Sequence, residues 1–352
     1  PEEYAKPDWT WATIRELVAR GDQAEISRRF DVPYEAFPYP TKLPGGRLVL
    51  YLDASGEARR FELDLARALA TVDLGLGRMQ AFVSAVEPVT MVRVDGPGVE
   101  PEFLRPAGLD RLGYAPASFG SDGGTRWMVQ EAALGLSSAV VVASERVGDS
   151  TRLAVTIASS HEGDDPLAIG RDRVERALRS GWGAMLEPHE AWWRDFWSIS
   201  AVDLPDEAIQ RHYDFVKYLY GAGSRRGAPP MPLQGVWTRD DGGLPPWKGD
   251  YHHDLNTQTT YLAYGPAGLF DCGLSFLDQQ WELLPVYRQL ARDFYGLEKG
   301  AVVPGVATQG GKPTAGWSQY ALSPTNGLWI GQLFDRHWRL TGDREFLAER
   351  AY

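Results

Sequence analysis

From residue 43 to about 159 the chain alternates short apolar or β-branched runs with turn residues. The runs at 47–52, 61–65, 71–76, 80–84, 89–94, 126–130, 139–144 and 152–158 are separated by Gly, Asp and Pro. Alternation at a period of two predicts strands, and many short strands at close spacing predict a β-sandwich. The glycine-rich stretches at 44–46 and 121–124 read as turns, because no helix start follows a strand there with the spacing a phosphate-binding loop needs.

The period changes near residue 166. Residues 166–179 read as a helix, and EPHEAWWRDFW at 187–197 as a second, aromatic-rich segment linking one domain to the next. In 206–220, Ile209, Tyr213, Val216 and Tyr220 recur at steps of four, three and four before Gly221, which predicts an amphipathic helix and its stop. Helical patterns return at 257–264, at 274–295 with Pro285 as a break, and at 326–341 before Gly342; 344–352 begins another. A run of strands followed by a run of helices implies separate domains rather than an alternating α/β fold. The expected class is multidomain β plus α: an N-terminal β-sandwich at 1–165, a helical linker at 166–204 and a helical domain at 205–352.

Composition narrows the partners. The 36 Lys and Arg stand against 47 Asp and Glu, a net charge of −11, so the basic footprint of a nucleic-acid binder is missing. Cys272 is the single cysteine, which excludes an intrachain disulfide and a cysteine-based metal cluster. No apolar run reaches the ~18 residues of a membrane span. The chain opens Pro-Glu-Glu-Tyr, which reads as a processed or partial N-terminus. Of 13 Trp, ten lie at or beyond Trp182; such rings stack on the apolar faces of sugars and also fill cores.

The densest cluster of Gly, Pro, Trp, His, Asp and Asn is the segment MPLQGVWTRDDGGLPPWKGDYHHDLNTQ at 231–258, set between two helical patterns. A long loop this rich in specific polar groups is usually functional. Gln234, Asp250, His252, His253, Asp254 and Asn256 offer donors and acceptors to sugar hydroxyls, with Trp237, Trp247 and Tyr251 as stacking platforms. Asn256 also fits a plain helix N-cap for 257 onward. His252, His253 and Asp254 without a third fixed partner are weak evidence for a metal, so neither metal nor cofactor is expected. His161, His189, His212 and His337 read as structural or exposed, and Asp271 and Asp278 as helix-start or surface carboxylates.

At this loop the sequence resembles glycoside hydrolase family 95, the inverting α-L-fucosidases and α-L-galactosidases. The resemblance rests on LQGVW at 233–237, PPWKGDYH at 245–252, NTQ at 256–258 and LTGDREFLAERAY at 340–352. It extends more weakly to FWS at 196–198, LPD at 204–206, FELDL at 61–65 and AFVS at 81–84. It implies a β-sandwich, a helical linker and an (α/α)6 catalytic barrel, of which 205–352 would be the first part, and an oligosaccharide or polysaccharide substrate cleaved at a terminal sugar. In the family, two asparagines spaced Asn-x-Asn position the attacking water. Asn256 matches the second and Asp254 stands in place of the first, which alters that network or adds a carboxylate. His252 falls where the family contacts a sugar hydroxyl. The family's general acid and base are expected beyond Tyr352. The resemblance favours a secreted or periplasmic setting. Two other readings stay open: a polysaccharide lyase, which the acidic loop with only Lys248 and Arg239 as cations disfavours, and a non-catalytic sugar binder.

Overall fold

The computed structural model describes residues 7–53, 57–236, 239, 241–314 and 321–351. The chain divides into two compact units. One is a β unit of 43–218 and 239–243, the other a helical unit of 1–42, 219–238 and 244–352.

The chain opens in the helical unit with α1 (Trp11–Ala19), α2 (Gln23–Ile26) and α3 (Val32–Ala36). Thr10 caps α1 by accepting from the Thr13 amide at 3.2 Å, and Asp22 caps α2 through the Glu25 amide at 3.1 Å. Ile14, Leu17, Phe30 and Tyr34 are buried with Phe294, Val306, Ala321 and Leu322. Residues 1–42 were expected to open the β-domain; instead their apolar face belongs to a helical core whose other half comes from 290–322. Position along the chain does not show which core a segment's apolar residues join, which is why sequence order misassigned this one.

In the β unit the strands are β1 (Arg47–Leu52), β2 (Arg60–Asp64), β3 (Leu69–Asp73), β4 (Arg78–Val83), β5 (Thr90–Asp95) and β6 (Val99–Leu104). A short α4 (Ala107–Arg111) leads to β7 (Ser118–Asp122), β8 (Thr125–Glu131), β9 (Ser137–Val147) and β10 (Ser150–Ser159). Two helices follow, α5 (Pro166–Ser180) and α6 (Trp182–Ser198). The main sheet is antiparallel with order β2-β3-β4-β5-β10-β9-β8-β7, and β1 pairs with β6 as a separate ribbon.

Both faces of the main sheet are covered. Val92, Val94, Val140 and Val142 join Phe103 and the partly buried Leu48 and Leu50 of the ribbon, while the intervening Met91, Val141 and Ala143 meet Val174, Ala177 and Met185 of α5 and α6. The period-two pattern is thus satisfied on two different layers. The antiparallel β region stands as expected. Its second β layer is a two-stranded ribbon, however, and the other face carries helices. Residues 166–198, expected as part of a helical linker at 166–204, therefore form a layer of the β unit. His189 of α6 is fully buried, accepting from the Ala85 amide at 3.1 Å through Nδ1 and placing Nε2 2.8 Å from the Arg67 carbonyl. Strands β6 and β7 escaped the sequence reading because Pro101 and Gly120 interrupt them; in a two-stranded ribbon a missing amide costs little.

The helical unit continues from the C-terminal end of α7 (Glu207–Gly223) through β11 (Tyr251–His252), α8 (Asn256–Leu262), α9 (Phe270–Glu282) and α10 (Leu284–Asp293). Then come β12 (Val306–Ala307), α11 (Asn326–Thr341) and α12 (Arg344–Phe346). Pro285 starts α10 instead of kinking a longer helix. Gly342 ends α11 in the left-handed region at φ 67°, its amide donating to the Trp338 carbonyl at 2.7 Å. Ile330, Leu333, Phe334 and His337 are the buried side of α11, which packs on α8 and α9. Among the described residues no helix is long and apolar enough to cross a membrane.

Candidate functional site

The 231–258 loop is anchored at its base by buried hydroxyls. The Tyr261 hydroxyl accepts from the Met231 amide at 2.8 Å and lies 2.9 Å from Ser224 Oγ, which is itself 2.6 Å from Ser275 Oγ. Tyr251 donates its hydroxyl to the Pro230 carbonyl at 2.8 Å, and the Leu233 amide donates to the Asp250 carbonyl at 3.0 Å. Further on, β11 pairs antiparallel with β12, Tyr251 opposite Ala307 and His252 opposite Val306.

Extended backbone alternates its side chains, and the loop uses this to sort four polar or aromatic residues in a row. Asp250 and His252 share one side: Nε2 of His252 is 2.9 Å from Oδ1 of Asp250, within ion-pair range. Oδ2 of Asp250 accepts from Thr314 Oγ1 at 3.2 Å. Burial pushes the Asp250 carboxyl pKa up, opposed by His252 and Thr314. Tyr251 and His253 share the other side, stacked with ring centroids 5.8 Å apart. Burial pushes the His253 imidazole down to about 3.

The sequence-derived candidates therefore part company. Tyr251, expected as a stacking platform, is buried in the loop's foundation and has no face open to a ligand; His253 is only 1% exposed and supports rather than contacts. Asp250 accepts from Thr314 through Oδ2 and has Oδ1 2.9 Å from His252 Nε2. Trp247 is the exposed aromatic, at 53% of its surface. Trp237 lies outside the described residues. Asp254 is half-buried with Oδ1 sealed from solvent and unpartnered, and Gln234 Oε1, Thr257 Oγ1 and Gln258 Oε1 are in the same condition. Asn256 is exposed and is the first residue of α8, whose N-cap is Leu255, so the capping reading fails.

Sealed polar atoms without a protein partner are uncommon and costly, and several of them fall on this loop. Sequence reasoning missed Thr314, brought to Asp250 by the β12 pairing, and Asn326, buried at the start of α11 with Nδ2 unpartnered. Nothing local in the sequence could have linked positions 64 residues apart. Among the described residues no group of three or more His, Cys, Asp and Glu could hold a metal ion. The Cys272 thiol is buried and pushed up to about 12, which leaves it inert as a nucleophile at neutral pH.

An antiparallel β region followed by a mostly helical part is a build shared with a solved structure, the "Putative kojibiose phosphorylase from human microbiome". The likeness has a TM-score of 0.61 at 12% identity, over 88% of this chain and 48% of that one, and it is one of fold. Residues 200–352 match the glycosyl hydrolase family 95 catalytic domain. "Alpha-L-fucosidase 2" of Arabidopsis thaliana is 30% identical over 153 residues, 43% of this chain. "Probable alpha-fucosidase A" of Aspergillus niger is 28% identical over 147 residues, 40% of this chain. The matched part spans 18% of the length of each of these relatives.

Proposed function

We propose that this chain contributes the sugar-binding loop of a glycoside hydrolase that releases a terminal α-L-fucose or α-L-galactose from oligo- or polysaccharides with inversion, outside the cytoplasm. The observations that carry the reading are the unpartnered oxygens of Gln234, Asp254, Thr257 and Gln258 and the exposed ring of Trp247, all inside the stretch that matches family 95. Trp247 stacks on the apolar face of the sugar, and Gln234 and His252 hydrogen-bond its hydroxyls. Asp254 and Asn256 hold the attacking water; Asp250, bound to His252 and Thr314, orients His252. Inversion needs two carboxyl groups roughly 6.5–9.5 Å apart with water between them. Asp254, with an oxygen not committed to the protein, suits the water side of such a pair better than Asp250.

The test is an assay of the full-length protein on α-L-fucosylated, α-L-galactosylated and uronate-containing oligosaccharides, recording released monosaccharide, its anomeric form and ultraviolet absorbance. Release of one monosaccharide with inverted configuration is expected. Retained configuration, or new absorbance from unsaturated products, overturns the reading.

A further inference from the structure

Within the candidate loop, three consecutive residues occupy the left-handed region: Trp247 at φ 43°, Lys248 at φ 59° and Gly249 at φ 61°. Glycine adopts this freely; for Trp and Lys it costs on the order of 1–3 kcal/mol each and persists only where the surroundings hold it. The surroundings here are one N-terminal segment. The Lys248 carbonyl accepts from the Lys42 amide at 2.8 Å and from Thr41 Oγ1 at 3.2 Å. The Lys248 ammonium donates to the Tyr39 carbonyl at 3.2 Å and sits 4.2 Å above the Tyr34 ring. Lys42 in turn donates its ammonium to the Gly235 carbonyl at 3.3 Å, reaching the other arm of the loop. A Cβ on Gly249 would stand 3.0 Å from Lys42 Cβ, so the two backbones have closed to the limit that glycine allows.

We propose that residues 34–42 are a positioning clamp for the candidate sugar site, with Lys248 as the residue they grip. Lys248 is only 8% exposed, and its ammonium is spent on a carbonyl and an aromatic face, so it is a positioning residue without ligand contact. Gripping it turns the preceding Trp247 outward and sends the following Asp250 inward to His252 and Thr314. The part of the proposal that concerns substrate rests on the glycosidase reading; the clamp itself does not.

The test compares Lys248→Met, Lys248→Arg and Thr41→Val in the full-length protein, with two readouts. Hydrogen exchange at the amides of Lys42, Leu233 and His253 should accelerate about tenfold or more in the Met variant, less in Thr41→Val, and stay near wild type in the Arg variant, whose charge restores the grip. With 4-nitrophenyl α-L-fucoside as probe, KM should rise about tenfold in the Met variant with kcat within about threefold, and Arg should recover most of it. Unchanged exchange in the Met variant overturns the clamp, and faster exchange with unchanged KM overturns its role in positioning. If Lys248→Met does not fold, Thr41→Val decides in the same terms, since it deletes one bond to the turn and leaves the ammonium in place. A wild-type protein inactive on every sugar of the panel overturns the glycosidase reading, while exchange still judges the clamp.

Discussion

His253 is held neutral inside the helical unit, and this makes acid stability a direct probe of the site's foundation. Its ring is 1% exposed, stacked on Tyr251 at 5.8 Å and 6.0 Å from Phe276, and burial lowers its pKa from 6.5 to about 3. Between those two values the unfolded chain binds a proton that the folded one refuses. The stabilisation is therefore complete above pH 6.5 and is lost as the pH falls from there toward 3. Linkage gives a loss of about 3 kcal/mol by pH 4, a large fraction of the roughly 5–15 kcal/mol typical of a folded domain. Asp250 works in the opposite sense, because its raised pKa lets the folded state take up a proton more readily. The clean comparison is accordingly with His253→Phe, which keeps an aromatic ring of similar size in the stack and removes the titration. Urea midpoints followed by tryptophan fluorescence at pH 7 and pH 4 should show wild type losing about 3 kcal/mol more than the variant over this interval. Equal losses would mean that the imidazole reaches solvent and that the loop is not founded on a sealed stack.

Four other substitutions test separate links. Tyr261→Phe strands the Met231 amide and loosens the Ser224 and Ser275 pair, and should cost about 1–3 kcal/mol in urea denaturation. Gly249→Ala combines φ 61° with a 3.0 Å approach to Lys42 Cβ; about 1–3 kcal/mol of destabilisation is expected, with the largest gain in hydrogen exchange near Lys42. Phe30→Ala opens a cavity among Ile14, Leu17, Phe294 and Val306 and should cost about 3–5 kcal/mol, read as a lowered urea midpoint. Asn256→Ala, at an exposed position, should leave the urea midpoint within about 0.5 kcal/mol and cut hydrolysis by the full-length protein far more; unchanged turnover would remove its water-positioning role.

The β unit shows why some elements are visible from sequence and others are not. The middle of β9 could be read directly because Val140 and Val142 face the ribbon while Ala139, Val141 and Ala143 face the helices, so each of residues 139–143 is apolar. α11 was equally legible, with an apolar stripe and a terminal glycine at 342. Which layer covers which face was not: the aromatic run at 187–197 has the composition of a linker or a core helix alike, and its contacts in space, such as His189 against Phe82 with centroids 4.7 Å apart, settle it as cover for the sheet.

The same division runs through the candidate site. The sequence by itself determined the order of strands then helices from residue 43 onward, the 231–258 segment as the place where polar and aromatic groups gather, and the likeness to family 95 carried by its short motifs. These depend on residue type and spacing along the chain, which the sequence states outright. The tertiary structure decided that Tyr251 and His253 are foundation, that Trp247 alone of the described platforms faces outward, and that Asp250 is claimed by Thr314. It also decided that residues 34–42, more than 200 positions earlier in the chain, grip Lys248. Those assignments depend on pairing between segments that share no local pattern. Burial and hydrogen bonding are properties of neighbours in space, and a one-dimensional pattern carries only the half of each contact that a residue brings to it.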